Sequence, residues 1–303
     1  MKKRILAGVL SAVVAVTAMI TPVTALADRV DDKPYLALGA DLKGDERDTV
    51  LTLLGVTEEE LGNYTVSQIT NEDEHKYLDA YLDASVIGTR ALSSVKVTGK
   101  EEGYGFQVET HNISYCTAGM YQNALATAGI EDAEVVVAGP FSISGTAALV
   151  GAMEAYSAMT GEVIDPELAD GATNELVVTS ELAENIGSSE KAEELIAAVK
   201  QVIAADEVKS AEDIEAVIDD VAQQLEISLS EEDKQMIRDL MTKLSDLDLD
   251  LDSLKEQAQE LYDRISQIDL SEYGITQESV SGFFSQLGAF FSGLFDKLKA
   301  LFE

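Results

Sequence analysis

Ser142-Ile143-Ser144-Gly145-Thr146 is the stretch whose residue types come nearest to a ligand-holding or reactive site. Three hydroxyls flank one glycine, between the apolar Val135-Val136-Val137 and a segment rich in alanine and glycine. At the start of a helix, backbone N–H groups and hydroxyls hold an anion or carboxylate, and Gly145 permits close backbone approach. Ser142, Ser144, Gly145 and Thr146 are therefore the candidate ligand-binding residues. The plainer reading has Ser144 capping the helix, with Gly145, Ala147, Ala148 and Gly151 letting it pack tightly on a sheet. Nucleophilic catalysis is a further reading. The spacing is not G-x-S-x-G, however, and His75 and His111 are the two histidines available as base. No catalytic residue is assigned.

The remaining reactive types point to less chemistry. Asp246, Asp248, Asp250 and Asp252 alternate with leucines, and Asp-x-Asp-x-Asp suggests calcium. Counted from Asp248, the sixth position is Ser253 rather than glycine and the twelfth is Gln259 rather than glutamate. The run reads as an acidic loop seeding the next helix, whose N-terminus favours carboxylates. One cysteine, Cys116, allows no internal disulfide. It sits at the start of an apolar helical stretch and is expected to be buried. No metal site and no cofactor are expected. The net charge of −35 excludes a phosphate-neutralising nucleic-acid surface. Between Glu101 and Glu190 there is no Lys or Arg, so a polyphosphate is a poor ligand for the Ser-Gly-Thr segment.

The elements that must position these residues follow from periodicity and punctuation. Strands are expected over 35–40, 65–69, 92–98, 104–113 and 133–138. Helices are expected over 45–54, 72–82 capped by Asn71, 118–128 and 145–159. The third and fourth strands, flanking Gly99-Lys-Glu-Glu-Gly103, read as a hairpin. The fold class is α+β: a mixed sheet of about five strands with packed helices, then an all-α region. From Ser188 to Tyr273 there is neither Gly nor Pro. Ser189, Ser210, Ser230 and Ser253 are the expected N-caps there. The expected organisation is an α+β domain over 28–166, an acidic helical region over 167–273 and a C-terminal helix over 274–303.

That last helix carries the clearest surface. Val280, Phe283, Phe284, Leu287, Phe290, Phe291, Leu294, Phe295, Leu298, Leu301 and Phe302 fall at steps of three and four, forming one apolar stripe. Its opposite face is small and nearly neutral, with Gly282, Gly288 and Gly293, so the helix needs a cover for its apolar face. The cover is the protein's own helical region, a second copy, another protein, an envelope surface component or a peripheral membrane contact. At the other end, Lys2-Lys3-Arg4, the apolar run Ile5–Ile20 and Ala25-Leu26-Ala27 have the pattern of a secretory signal peptide over 1–27.

Four segments carry a family resemblance: Ile69-Thr-Asn-Glu-Asp-Glu74, Ile87-Gly-Thr-Arg-Ala-Leu-Ser-Ser94, Met120-Tyr-Gln-Asn-Ala-Leu-Ala-Thr-Ala-Gly-Ile130 and Pro140-Phe-Ser-Ile-Ser-Gly-Thr-Ala-Ala-Leu149. In this order they resemble the YpuA-like family of exported Firmicute proteins, domain of unknown function 1002. The resemblance implies an extracellular or cell-envelope protein of a Gram-positive bacterium and brings no catalytic residues. The expected function is non-enzymatic binding or a structural role, through the C-terminal amphipathic helix. The alternatives are a Ser/Thr-dependent hydrolase acting on envelope material and a calcium-binding structural protein. The hydrolase requires a pocket with a base beside Ser142, Ser144 or Thr146.

Overall fold

Strict alternation along three strands divides the core in two. In the computed structural model, residues 33–247 and Leu249 are described, apart from Glu102, Glu162, Asp206, Glu207 and Lys209. The signal-peptide segment, most of the Asp-Leu run from Asp248 on and the Phe-rich helix with Phe283 to Phe302 lie outside the described residues. Strand β1 (Tyr35–Gly39) sends Leu36 and Leu38 to one face and Tyr35 and Ala37 to the other. Strand β3 (Ser94–Gly99) turns Val95 and Val97 to that second face. Strand β5 (Ala133–Ile143) splits Val136 and Ala138 from Val135 and Val137 in the same way. A period of two puts alternate side chains on opposite faces. Both faces are apolar because both are covered.

Helix α1 (Gly44–Leu53) covers the first face with Val50, Leu51 and the following Leu54. Helix α5 (Thr146–Thr160) covers the second. It lies close because Gly151 has no side chain: a Cβ there would stand 3.1 Å from Ala37, Ile69 and Val95. Against α5 stand α2 (Asn71–Leu78) and α4 (Ala118–Thr127), with the short α3 (Ala84–Ile87) packed on α2. The chain continues as α6 (Pro166–Ile186), α7 (Ser189–Ala205), α8 (Ala211–Gln224) and α9 (Glu231–Leu244). One cluster of buried apolar side chains runs from Val95 and Val135 in the sheet to Ile237 and Leu244 in α9. Among the described residues, no helix is long and apolar enough to cross a membrane.

The sheet has five strands, as the pattern predicts, in the order β2-β1-β3-β5-β4, where β2 is Thr65–Ile69 and β4 is Phe106–Ile113. The expected hairpin is split. Strands β3 and β4 both pair with β5, antiparallel and parallel respectively, and not with each other. The reason lies in polarity. Val135 to Ala138 are all buried and belong at the centre, whereas Gln107 and Glu109 are exposed and suit an edge. The β3–β4 connection is held by the turn before β5: Lys100 N–H donates to the Asp132 carbonyl at 2.6 Å and Gly105 N–H to its Oδ1 at 3.0 Å.

Three helix caps differ by one residue from expectation. Thr70, not Asn71, caps α2, with Asp73 completing a capping box. Ser188, not Ser189, receives the Lys191 N–H at the start of α7. At α5 the N-cap is Gly145, φ 98°, with no side-chain cap bond, so Ser144 does not cap the helix. In each case the side chain that reaches the second or third helical N–H lies one residue earlier, or is absent. Ser210 and Ser230 do cap α8 and α9.

Candidate functional site

The start of α5 forms one wall of a cleft of about 260 Å³. Three chain segments meet there. Glu74 comes from α2, Val86 to Ser93 from α3 and the loop after it, and Ile143, Ser144 and Thr146 from the end of β5 and the first turn of α5. Of the four candidates, Ser144 and Thr146 line the cleft, with Ser144 partly exposed and Thr146 buried. Gly145 is buried behind them. A Cβ on it would meet the Tyr121 hydroxyl at 2.5 Å and Ile113 at 2.7 Å, and its φ of 98° suits glycine alone. Ser142 is exposed and is not among the cleft-lining residues.

The 143–145 backbone is pinned from behind. Ser114 N–H and its hydroxyl donate to the Ile143 carbonyl at 2.8 and 3.1 Å. Cys116 N–H donates to the Ser144 carbonyl at 3.0 Å, and the Tyr121 hydroxyl to the Gly145 carbonyl at 2.5 Å. A trans peptide points its N–H away from its C=O. The N–H groups of Ser144, Gly145 and Thr146 are thereby turned away from the donors that hold the preceding carbonyls. Between the pairs His111–Ala138 and Ile113–Ile143 the ladder is irregular: Asn112, φ 58°, stands against the extra residues 139–142 of β5, so that Ile113 comes opposite Ile143.

Glu74 is the residue that sequence reasoning did not reach. It is 1% exposed, yet its carboxyl lies at the cleft. Thr146, also 1% exposed, donates from Oγ1 to Glu74 Oε1 at 2.8 Å, and Asn71 donates from Nδ2 to Oε2 at 3.2 Å. Burial holds the Glu74 carboxyl above the usual range, and the bonds from Thr146 and Asn71 offset part of that. Ser144 Oγ stands 3.3 Å from Thr146 Oγ1. Ser93 Oγ accepts the Ala148 N–H at 3.0 Å, a proton it shares with the Gly145 carbonyl at 3.1 Å. Arg90, at the rim, gives Nη2 to the Asp41 carbonyl at 2.9 Å and to Glu46 Oε2 at 2.5 Å. Val86, Ile87, Leu92 and Ile143 supply an apolar wall.

No histidine lines the cleft. His75 Nδ1 bonds Asp79 Oδ1 at 2.5 Å, which raises its pKa, and His111 faces Glu109 at 3.2 Å. Among the described residues, no group of three or more His, Cys, Asp or Glu is placed to hold a metal. Cys116 is fully buried behind Gly145, and burial pushes its thiol up to about 12. In the folded chain at pH 8 the thiol is therefore expected to resist iodoacetamide, because the thiolate is the nucleophile. Mass spectrometry should show modification only once denaturant is added, and rapid labelling of the native chain would contradict this placement.

The signal that leads to Glu74 is in the resemblance itself. Ile69–Glu74 ends on the cleft carboxyl, Ile87–Ser94 forms the adjoining wall, and Pro140–Leu149 contributes Ser144 and Thr146. The fourth segment, Met120–Ile130, carries the Tyr121 that holds Gly145. No spacing rule links these residues, because they are up to 72 positions apart and meet only on folding.

Comparison with known proteins gives the same grouping. A family model described as "Protein of unknown function (DUF1002)" matches residues 38–261. The "Uncharacterized protein YpuA" of Bacillus subtilis (strain 168) is 36% identical over 302 residues, covering 99% of this chain and 100% of that protein. No solved structure matches.

Proposed function

The chain belongs to the DUF1002 family, and we propose that it is an exported cell-envelope or extracellular protein that binds a ligand in the Glu74–Thr146 cleft without transforming it. The single observation behind this is the cleft itself: polar groups converge on it from α2, the α3 loop and α5, against an apolar wall. Concave sites with a few convergent polar groups are the usual form of ligand pockets. The signal-peptide pattern over 1–27 supports export. The Phe283–Phe302 stripe supports attachment to a protein or envelope surface, or to a second copy.

Hydrolysis is the second reading, and the Glu74–Thr146 bond favours it, since a hydroxyl hydrogen-bonded to a base is the form of an activated nucleophile. The binding reading is preferred because Thr146 is 1% exposed, which leaves its hydroxyl little access to a reacting carbon entering the cleft. The test is retention and turnover together. The purified chain is mixed with a solubilised digest of bacterial envelope, and bound and free small molecules are read by mass spectrometry. Retention of components unchanged in mass, reduced in Ser144→Ala, is expected. New cleavage products that vanish with Glu74→Gln would make the protein a hydrolase, and no retention at all would remove the cleft as a ligand site.

A further inference from the structure

Gly171 stands inside α6, where glycine is less favourable than alanine. Its surroundings account for it. A Cβ there would stand 2.8 Å from Leu247 Cδ1, 3.1 Å from Leu244 Cδ2 and 3.5 Å from the Thr127 methyl. The bare backbone is a seat for two leucines from the end of α9. Leu244 closes that helix and is 1% exposed. Leu247 follows through tight turns, with Asp246 N–H donating to the Lys243 carbonyl at 3.3 Å and Leu247 N–H to the Leu244 carbonyl at 3.1 Å. Leu247 and Leu249 are half-buried against the core, whereas Asp246 is exposed. The described part of the Asp-Leu run is therefore a strap with its leucines inward. A polar clasp holds its start: Lys243 donates to Asp170, the neighbour of Gly171, and to the Tyr81 hydroxyl at 2.6 Å.

What lies next to the seat gives the strap a consequence. Glu175 is one turn beyond Gly171 on the same face of α6. Thr127, whose methyl borders the seat, gives its hydroxyl proton to Glu175 and accepts from Lys200 Nζ at 2.9 Å. Lys200 Nζ stands 2.7 Å from Glu175 Oε1. A charge pair this deep depends on the exclusion of water, which sets the local dielectric.

We infer that the strap Leu244–Leu249 is a lid on the Lys200–Glu175 pair, seated on Gly171, and that lifting Leu247 admits water to the pair. The chain running on toward the Phe283–Phe302 stripe leaves through this lid, which joins the buried pair to that end of the sequence.

The test is made on the full chain by NMR of the Lys200 ammonium protons, assigned by their absence from the paired variant Lys200→Met with Glu175→Leu. In the parent these protons should exchange slowly with water, since each has a partner. Leu247→Ala should speed that exchange by about tenfold or more, as local opening does. Gly171→Ala should act in the same direction by pushing Leu247 off its seat, although alanine favours the helix. Leu247→Met, which refills the seat, should keep the exchange slow. Urea denaturation gives the second measurement. Lys200→Met should lower the folding constant about tenfold less in a Leu247→Ala background than in the parent, because water then reaches the abandoned carboxylate. Leu247 is half-buried, so its variants keep the fold. A Lys200 ammonium signal already lost to exchange in the parent would overturn the lid. So would exchange unchanged by both Leu247→Ala and Gly171→Ala, or a cost of Lys200→Met that is the same in both backgrounds.

Discussion

Lys200→Met is expected to destabilise the chain by about 3–5 kcal/mol, the cost of leaving one member of a buried ion pair alone. Lys200 on α7 is 3% exposed and Glu175 on α6 is fully buried, with Lys200 Nζ 2.7 Å from Glu175 Oε1. The ammonium has three donors, and each has a partner: Glu175 Oε1, Thr127 Oγ1 at 2.9 Å and the Asn123 carbonyl at 2.9 Å. The Thr127 hydroxyl in turn donates to Glu175 Oε2. This network ties α4, α6 and α7 together inside an otherwise apolar core. Removing the lysine leaves a carboxylate in low dielectric with one hydroxyl for company. A paired replacement, Lys200→Met with Glu175→Leu, should recover most of the loss, because the desolvation of both charges disappears together. Urea denaturation of the two single variants and the double variant measures the coupling. Additive losses, with no recovery in the double variant, would show that the pair does not act as a unit.

Glu194→Gln is expected to stabilise the chain at pH 8 by about 1–3 kcal/mol and to change little at pH 4. Burial raises the Glu194 pKa from 4.5 to about 7, and Glu193 and Glu190 add to this while Lys191 opposes it. The unfolded chain releases this proton near 4.5. Between these values the folded state binds more protons than the unfolded one, so stability falls as pH rises through that window and is flat above about 7. Glutamine has no charge to desolvate and escapes the loss. The difference in Tm between variant and parent, followed from pH 4 to 8, should therefore open with a midpoint in that window. A difference that is constant with pH would mean that Glu194 stays ionised in the folded chain.

The acidic composition has a visible consequence in the structure. Several carboxylates serve as helix-start partners rather than as a binding surface: Glu60, Asp73 and Asp233 bond back to Thr57, Thr70 and Ser230 and are held below their usual range. For Asp233 the bonds from Ser230 and Asn185 prevail over burial, which acts in the opposite direction. In each box both partners lie within one helical turn, so spacing alone can carry the pattern, as at Thr57–Glu60, although at α2 the expected cap was Asn71 rather than Thr70.

What the sequence determined by itself was therefore local. Alternation in Tyr35–Leu38 and Val135–Ala138 and the serines capping α8 and α9 follow from periods of two and 3.6 residues and from side chains reaching a few positions along the chain. So did the α+β class and the family. The tertiary structure alone decided the rest. It placed β5 between the arms of an apparent hairpin, since competition for the buried centre of a sheet is settled among all strands at once. It moved the N-cap of α5 from Ser144 to Gly145, where the Tyr121 hydroxyl and Ile113 fill the space behind that backbone. And it set Ser144 and Thr146 into the wall of a cleft by bringing Glu74 to Thr146 across 72 positions, a contact that no local spacing encodes.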